Sequence, residues 1–384
     1  MKLCSSAAVD TSLILQNLLS PPVLFFFLGV IAVLVGSDLE IPSPLPKLFS
    51  LYLLLAIGFK GGLELQHSGL GGQMLPTIGA AVGMSLVVPF GDPDYYTGRP
   101  NIAVARPDAA GTGPKAVALD NFFGFSPGMA PLLPAYRNGD LLVAHATGSV
   151  DNSRSHFDAQ RYMEVGKPRD ARISGGWLGR HLATSTPMRA NAPLRGLGFT
   201  GGLPQTLAGG PKSLPIPNPA NFTIGGSGTT ASDRAQWLAA NHATTVNPVA
   251  DNALDATNTI ALLQRINFTG YAAANGAVYP NSGFGQALRS SAALIKADVG
   301  IEAIHAFNGG WDTHVNQGPV ITLDGGFMHN RMLDLANALS AFHADVIQGT
   351  TAYGVTVVIV SEFGRNAREN GNRGTDHGRG NVAF

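Results

Sequence analysis

Four short stretches gather the residue types that metal ions and anionic esters require. GWDTH places Asp312 and His314 two residues apart. A carboxylate and an imidazole at that spacing can hold one divalent cation, and the same pair also suits an Asx turn beside a histidine. TDHG sets Asp376 and His377 side by side in a glycine-rich turn. That pair suits two neighbouring ions, one ion and a substrate, or simply a turn. SEFGR leaves Glu362 at the end of an apolar run, where a buried carboxylate calls for Arg365, a metal or a proton. NSRSHF brings together Ser153, Arg154, Ser155 and His156. A hydroxyl beside a guanidinium and an imidazole can be a nucleophile with an anion-binding partner, although serines in such loops also cap locally. The expected roles are Ser153, Ser155 and Arg154 in catalysis, and Asp312, His314, Glu362, Asp376 and His377 around divalent zinc, manganese or calcium. His156 and Arg365 are expected to face the substrate. His181, His242, His329 and His343 fall on helical patterns and read as packing or surface residues.

Such groups must be positioned by regular elements. DLLVAHA (140–146), IEAIHAF (301–307) and VTVVIVSEF (355–363) are short, apolar and β-branched, as expected for buried strands of a parallel sheet. Helical patterns lie between them, in GMAPLLPAYRNG, GGWLGRHLATS, ASDRAQWLAANH, the stretch 252–266, GFGQALRSSAALIKADVG and HNRMLDLANALSAFHADVI. This alternation predicts an α/β sandwich with a mostly parallel sheet over 91–384. The Gly, Pro, Asn and Ser content of 201–228 marks a surface excursion. Each strand is followed by one of the polar stretches, so their groups should meet where open α/β sheets place their sites. Separations above about 15 Å would break that expectation, because ligand bonds are only about 2 Å long.

The first ninety residues differ in kind. They hold seven charged side chains: Lys2, Asp10, Asp38, Glu40, Lys47, Lys60 and Glu64. After a tail over 1–11, apolar runs cover 13–35, 48–59 and 74–90. They predict about three short transmembrane-type helices over 12–90 and a membrane location, with the last two interrupted by glycine. The loops carry Lys47 and Lys60 on opposite sides, so charge sets no orientation. No basic tract is present and the net charge is zero, which argues against nucleic acid as a partner. Cys4 is the only cysteine, which excludes an intrachain disulfide and a cysteine-based zinc site.

Within that region, GSDLEIPSPLPK followed by LYLLLAIGFKGG resembles the sodium-dependent bicarbonate transporter family of bacteria, over residues 12–90. The resemblance implies the first three helices of one five-helix repeat, in a bacterial inner membrane. Gly58, Lys60, Gly61 and Gly62 would be relics of a helix break; a glycine terminus with a snorkelling lysine is the alternative. A partial repeat cannot complete an ion site, so bicarbonate transport by this chain is not expected.

FGDPDYYTGRP, FFGFSPGMAPLLPAYRNGDLLVAHATGS, SRSHFDAQRYME, GWLGRHL, GWDTHVNQG and SEFGRNARENGNRGTDHGRGN resemble a second family, domain-of-unknown-function family 1501. The resemblance spans 85–384. It implies the alkaline-phosphatase and sulfatase fold, twin-arginine export, and a metal-centred site for sulfate or phosphate esters. Ser153 or Ser155 would then be the nucleophile, and Asp312 with His314 the central pair. Either Asp376 and His377 form the late pair, or Glu362 takes that place and His377 is the final histidine. Two ions there would orient the ester and lower the nucleophile's pKa.

The resemblance also implies an aspartate where this sequence has Val82, and a domain that continues past NVAF. The expectation is therefore a membrane-attached chimera whose α/β domain is incomplete and whose hydrolase activity is impaired. The alternatives are a non-catalytic, membrane-anchored binding module and a fragment of a bicarbonate transporter.

Overall fold

The computed structural model describes residues 81–384, apart from 171, 243–247, 319–325 and 349–353. The apolar runs before residue 81, with Gly58, Lys60, Gly61 and Gly62, lie outside the described residues. Among the described residues no helix is long and apolar enough to cross a membrane. The described residues belong to one compact unit of mixed helices and sheets.

The chain enters on α1 (Ala81–Leu86) and runs directly into β1 (Val87–Val88). GMSLVVP, expected as a glycine turn and strand, is thus a helix followed by a two-residue strand. Leu86 and Val87 lie in the main core, and Val88 in a smaller cluster with Phe90, Tyr95 and Val104. The end of the third apolar run is therefore core of the α/β body. Helix α2 (Pro93–Gly98) starts on Asp92, whose carboxylate accepts the Asp94 N–H, with proline at its first turn. Strands β2 (Val117–Ala118) and β3 (Gly124–Phe125) follow, and the antiparallel order is β1-β3-β2.

A 3-10 turn (Pro127–Leu132) leads into α3 (Leu133–Arg137), β4 (Ala144–Thr147), α4 (His156–Val165) and α5 (Trp177–Thr184). Then come β5 (Gly196–Gly198), β6 (Ser213–Pro215), α6 (Ala231–His242), α7 (Pro248–Leu263) and α8 (Gly283–Lys296). The last elements are β7 (Ala303–His305), α9 (Phe327–Phe342) and β8 (Asn381–Ala383). Five of the helical patterns in the sequence correspond to α5 to α9. The sixth divides into the 3-10 turn and α3, because Pro131 and Pro134 lack the N–H groups a continuous α-helix would use.

Parallel pairing is confined to β6-β5-β7, so the mostly parallel sheet is corrected: the β1-β3-β2 and β4-β8 sheets are antiparallel. Parallel strands need helical crossovers that cover both faces. Here Leu197 and Ile304 face a cluster with Leu263, Ala293 and Leu294 from α7 and α8, while Ala303 packs with Leu182 of α5. Gly196 permits that approach, since a Cβ there would lie 3.1 Å from the Leu182 side chain and 2.3 Å from Ser213 Oγ.

The run VTVVIVSEF is not a buried sheet strand. Residues 354–360 belong to no sheet, although the backbone of Ile359 exchanges two hydrogen bonds with Phe384, at 2.9 and 3.2 Å. Val355, Val357 and Ile359 rest on the main core, whereas Val358 and Val360 are 60 and 50% exposed. The described residues supply a layer for one face only, so the run keeps the alternation of a strand without its sheet.

The main core centres on α9, whose Met328, Met332, Ala336 and Leu339 pack over the 3-10 turn at Gly128 and Met129. At Gly128 a Cβ would meet the Met332 Cβ at 2.7 Å, so glycine is required for this contact. Beyond α9 a π-helical turn (His343–Ile347) buries Asp345. The Asp345 carboxylate accepts the hydroxyls of Tyr271 and Tyr279, each at 2.8 Å, and the Ala274 N–H at 2.7 Å, and pairs with the Lys296 ammonium. Burial pushes its pKa up, but the ammonium and these donors outweigh burial and hold it below the usual carboxylate range. A depressed folded-state pKa stabilises above the unfolded value of about 3.9, and the contribution is lost as pH falls below it. Removing one partner of a buried ion pair costs about 3–5 kcal/mol. We expect Asp345→Asn to lower urea-measured stability at neutral pH by about that amount, and by less at acidic pH; an equal loss at both pH values would contradict this role.

Candidate metal centre

Three loops bring the site side chains together. The first runs from β4 to α4, which begins at His156. The second follows β7 and carries Asp312 and His314. The third, 361–380, leads into β8. The expectation of convergence holds, but its proposed cause does not, because β4 and β7 belong to different sheets and 354–360 to none.

The geometry is built from three imidazoles. His156 Nδ1 donates to Glu362 Oε1 at 2.7 Å, His314 Nδ1 to Asp376 Oδ1 at 2.9 Å, and His377 Nδ1 to the Arg154 carbonyl at 2.9 Å. Ionised carboxylates and carbonyls only accept, so these contacts put the proton of each neutral imidazole on Nδ1. The Nε2 atoms then turn toward one another. His377 Nε2 lies 3.2 Å from His156 Nε2 and 3.1 Å from His314 Nε2. Asp312 completes the group: Oδ1 is 2.9 Å from His314 Nε2 and 3.0 Å from His377 Nε2, and Oδ2 is 3.5 Å from His156 Nε2. Ligand atoms of His156, Asp312 and His377 all lie within 4.8 Å of one another.

Behind this group sits Arg365, 2% exposed, with Nη1 2.5 Å from Asp312 Oδ1. Burial raises the Asp312 pKa, but Arg365 and His377 outweigh it and hold the carboxyl far below its usual range. Burial likewise opposes ionisation of Asp376, and His314 and Asn370 reverse the shift downward. Arg365 Nε donates to Thr375 O and Oγ1 at 2.9 and 3.0 Å. Thr375 Oγ1 donates to Gln317 Oε1 at 2.7 Å, and Gln317 Nε2 donates to Ser85 Oγ of α1 at 2.7 Å. Ser85, Gln317, Thr375 and Asn370 carried no expected role, although Thr375 opens TDHG, Gln317 lies in GWDTHVNQG and Asn370 lies in the third loop's polar run.

Asp312, His314 and His377 thus lie at the point of convergence, as does His156, expected against the substrate. Glu362 and Asp376 are each one imidazole away, on the Nδ1 side. Arg365 braces Asp312 from the interior. Ser153 Oγ lies 3.4 Å from Asp158 Oδ2 and accepts the Ser155 N–H at 3.2 Å, a local loop contact. Ser155 immediately precedes α4, and no side-chain capping bond is made there. Arg154 contributes its carbonyl. Val82 is the second residue of α1, and its side chain lies outside what the structure describes. Of the helical histidines, His329 is buried and His343 Nε2 lies 2.9 Å from Asp140.

The fold and this site define an α/β protein with a histidine–carboxylate centre carried on loops. The chain belongs to the family described as protein of unknown function (DUF1501), whose model matches residues 77–384. Residues 21–111 are similar to the Na+-dependent bicarbonate transporter superfamily. The two matches overlap over 77–111, and the described part of that overlap folds with the α/β body. No curated protein and no solved structure matches the chain.

Glycines let the third loop close on the site. A Cβ at Gly374 would lie 2.2 Å from the His314 carbonyl carbon and oxygen, and one at Gly378 would lie 2.4 Å from those of Arg365. These are backbone atoms and cannot rotate aside. We expect Gly378→Ala to cost about 1–3 kcal/mol in urea denaturation, as overpacking does. Gly371→Ala, with nothing within 4 Å of the added carbon, should leave stability unchanged.

Proposed function

We propose that His156, Asp312, His314 and His377 hold one divalent cation, and that the centre serves hydrolysis of sulfate or phosphate esters at an impaired rate. The observation that carries this is the convergence of three Nε2 atoms and the Asp312 carboxylate, while each Nδ1 is engaged by an acceptor outside the group. Such a set of nitrogen and oxygen atoms suits a cation between its members. Two nitrogens bound tetrahedrally at about 2.0–2.1 Å would be about 3.3 Å apart, close to the 3.1 and 3.2 Å seen here. Zinc suits three imidazoles and a carboxylate best; manganese and calcium prefer more oxygen.

A bound divalent ion would supply Lewis acidity at a bridging ester oxygen or at water. The chain's own residues do the rest. Glu362, Asp376 and the Arg154 carbonyl fix the imidazole tautomers, and Arg365 holds Asp312 ionised and aimed. The missing aspartate at Val82 and the outward placement of Glu362 and Asp376 favour one ion over two, which is why the rate is expected to be low.

A specific observation supports a second reading, the non-catalytic binding module. Ser153 Oγ is engaged within its own loop, so this candidate nucleophile is held by the loop rather than by the centre. The transporter-like segment supports membrane attachment in either case. The third reading, a transporter fragment, gains no support from the α/β body.

The test is metal content after loading with zinc and gel filtration, read by mass spectrometry. About one ion per chain is expected in the wild type, and almost none in a His156→Ala/His377→Ala double variant. Asp376→Asn should weaken zinc affinity about 10- to 100-fold, as loss of an orienting partner does. A wild type that retains no metal, or a double variant that retains all of it, would overturn the proposal. Membrane attachment predicts that the full chain sediments with membranes and is released by detergent but not by high salt; release by salt alone would contradict it.

A further inference from the structure

Two guanidinium groups beside the centre have no acidic partner. Arg154 lies two residues before His156, and its carbonyl accepts the His377 N–H at 2.9 Å. Arg379 lies two residues after His377, and its carbonyl accepts the Gly364 N–H at 3.1 Å. The antiparallel pairing of Thr147 with Asn381 brings the two loops side by side, so that a Cβ on Gly148 would come within 2.8 Å of the Arg379 carbonyl. Among the described residues neither side chain makes an ion pair or a hydrogen bond. Arg154 is half-buried and Arg379 is exposed. The Arg154 carbonyl on His377 holds the Arg154 backbone close to the segment that carries Arg379.

Several other arginines of this body are held by carboxylates. Arg195 is bound by Glu302, Arg169 by Asp151, Arg189 by Asp298 and Arg365 by Asp312. Like charges gathered without a counterion are costly unless an anion joins them, and guanidinium forks match the oxygens of tetrahedral oxyanions.

We propose that Arg154 and Arg379 form an anion subsite at the mouth of the histidine cluster, which takes a doubly charged tetrahedral oxyanion of the phosphate-monoester type in preference to a singly charged sulfate ester. The inference deepens the hydrolase reading by naming its substrate class; the binding step itself does not depend on that reading. Two arginines provide two positive charges, which a phosphate monoester dianion balances and a sulfate ester leaves half unmet. Arg379 is the residue that distinguishes the two substrates, because it adds the second charge beside Arg154.

The test is calorimetric binding of inorganic phosphate and of methyl sulfate at about pH 8, where phosphate is the dianion. The full chain is used with and without zinc, and each sample's metal content is measured. Phosphate is expected to bind at least about tenfold more tightly than methyl sulfate, a difference of about 1.4 kcal/mol. Arg379→Gln and Arg154→Gln should each weaken phosphate binding about tenfold, and Arg379→Gln should reduce the preference over methyl sulfate. Arg379→Lys keeps the charge and should retain part of the affinity, which separates loss of charge from loss of fold. No phosphate binding, equal binding of the two anions, or phosphate binding unchanged in both glutamine variants overturns the proposal. Arginine-dependent phosphate binding by a protein that takes up no metal would leave this subsite standing and remove the hydrolase reading.

Discussion

The ion pair between Arg365 and Asp312 is the contact on which the rest of the centre depends. A guanidinium 2% exposed cannot remain without a counter-charge, and Asp312 supplies it at 2.5 Å. Asp312 must then stay ionised and turned inward, toward the Nε2 atoms of His314 and His377. The other side of Arg365 is bound by Thr375, which continues through Gln317 to Ser85. One cation therefore fixes the loop after β7, the loop before β8 and helix α1 relative to one another. The outer contacts of Glu362, Asp376 and the Arg154 carbonyl act on the imidazoles grouped around a carboxylate already set in place.

That arrangement needs backbone to approach backbone more closely than side chains allow. Gly364, Gly374 and Gly378 make these approaches, to Gly380, His314 and Arg365. The glycine-rich run before β8 serves close packing as well as turning. Its polar groups are correspondingly spent on the fold: Asn370 Nδ2 donates to both the His314 carbonyl and Asp376 Oδ1, each at 2.9 Å. The loop is shaped by the histidine it holds.

Much of the site was legible because chemistry-bearing residues stood at the ends of apolar runs. His156, Asp312, His314 and His377 meet, with Glu362 behind His156, although the runs before them lie in different sheets or in none. Helix α4 was also legible, since Ser155 precedes it, Asp158 lies in its first turn and Gly166 ends it with a φ of 65°; the expectation of a polar loop passed over those signals. The sheet was less legible. Short β-branched runs indicate extended chain, but their partners depend on which helices cover them. IEAIHAF became the parallel strand β7, flanked by α5 and α8, while VTVVIVSEF found a layer on one face only.

The sequence by itself determined the α/β character of 91–384, the apolar nature of the first ninety residues, and the identity of the groups that gather at the centre. Composition and periodicity suffice for these, because they depend on neighbours along the chain. Only the tertiary structure decided which groups stand inside and which behind. Each imidazole has two nitrogens, and the one that faces the centre is set by an acceptor from another loop: Glu362 for His156, 206 positions away, and the Arg154 carbonyl for His377, 223 away. The same long-range packing set the Arg154 carbonyl against His377 and joined Ser85 to Gln317, 232 positions apart. No local pattern encodes such contacts, since their geometry exists only when separate loops are closed together by the core.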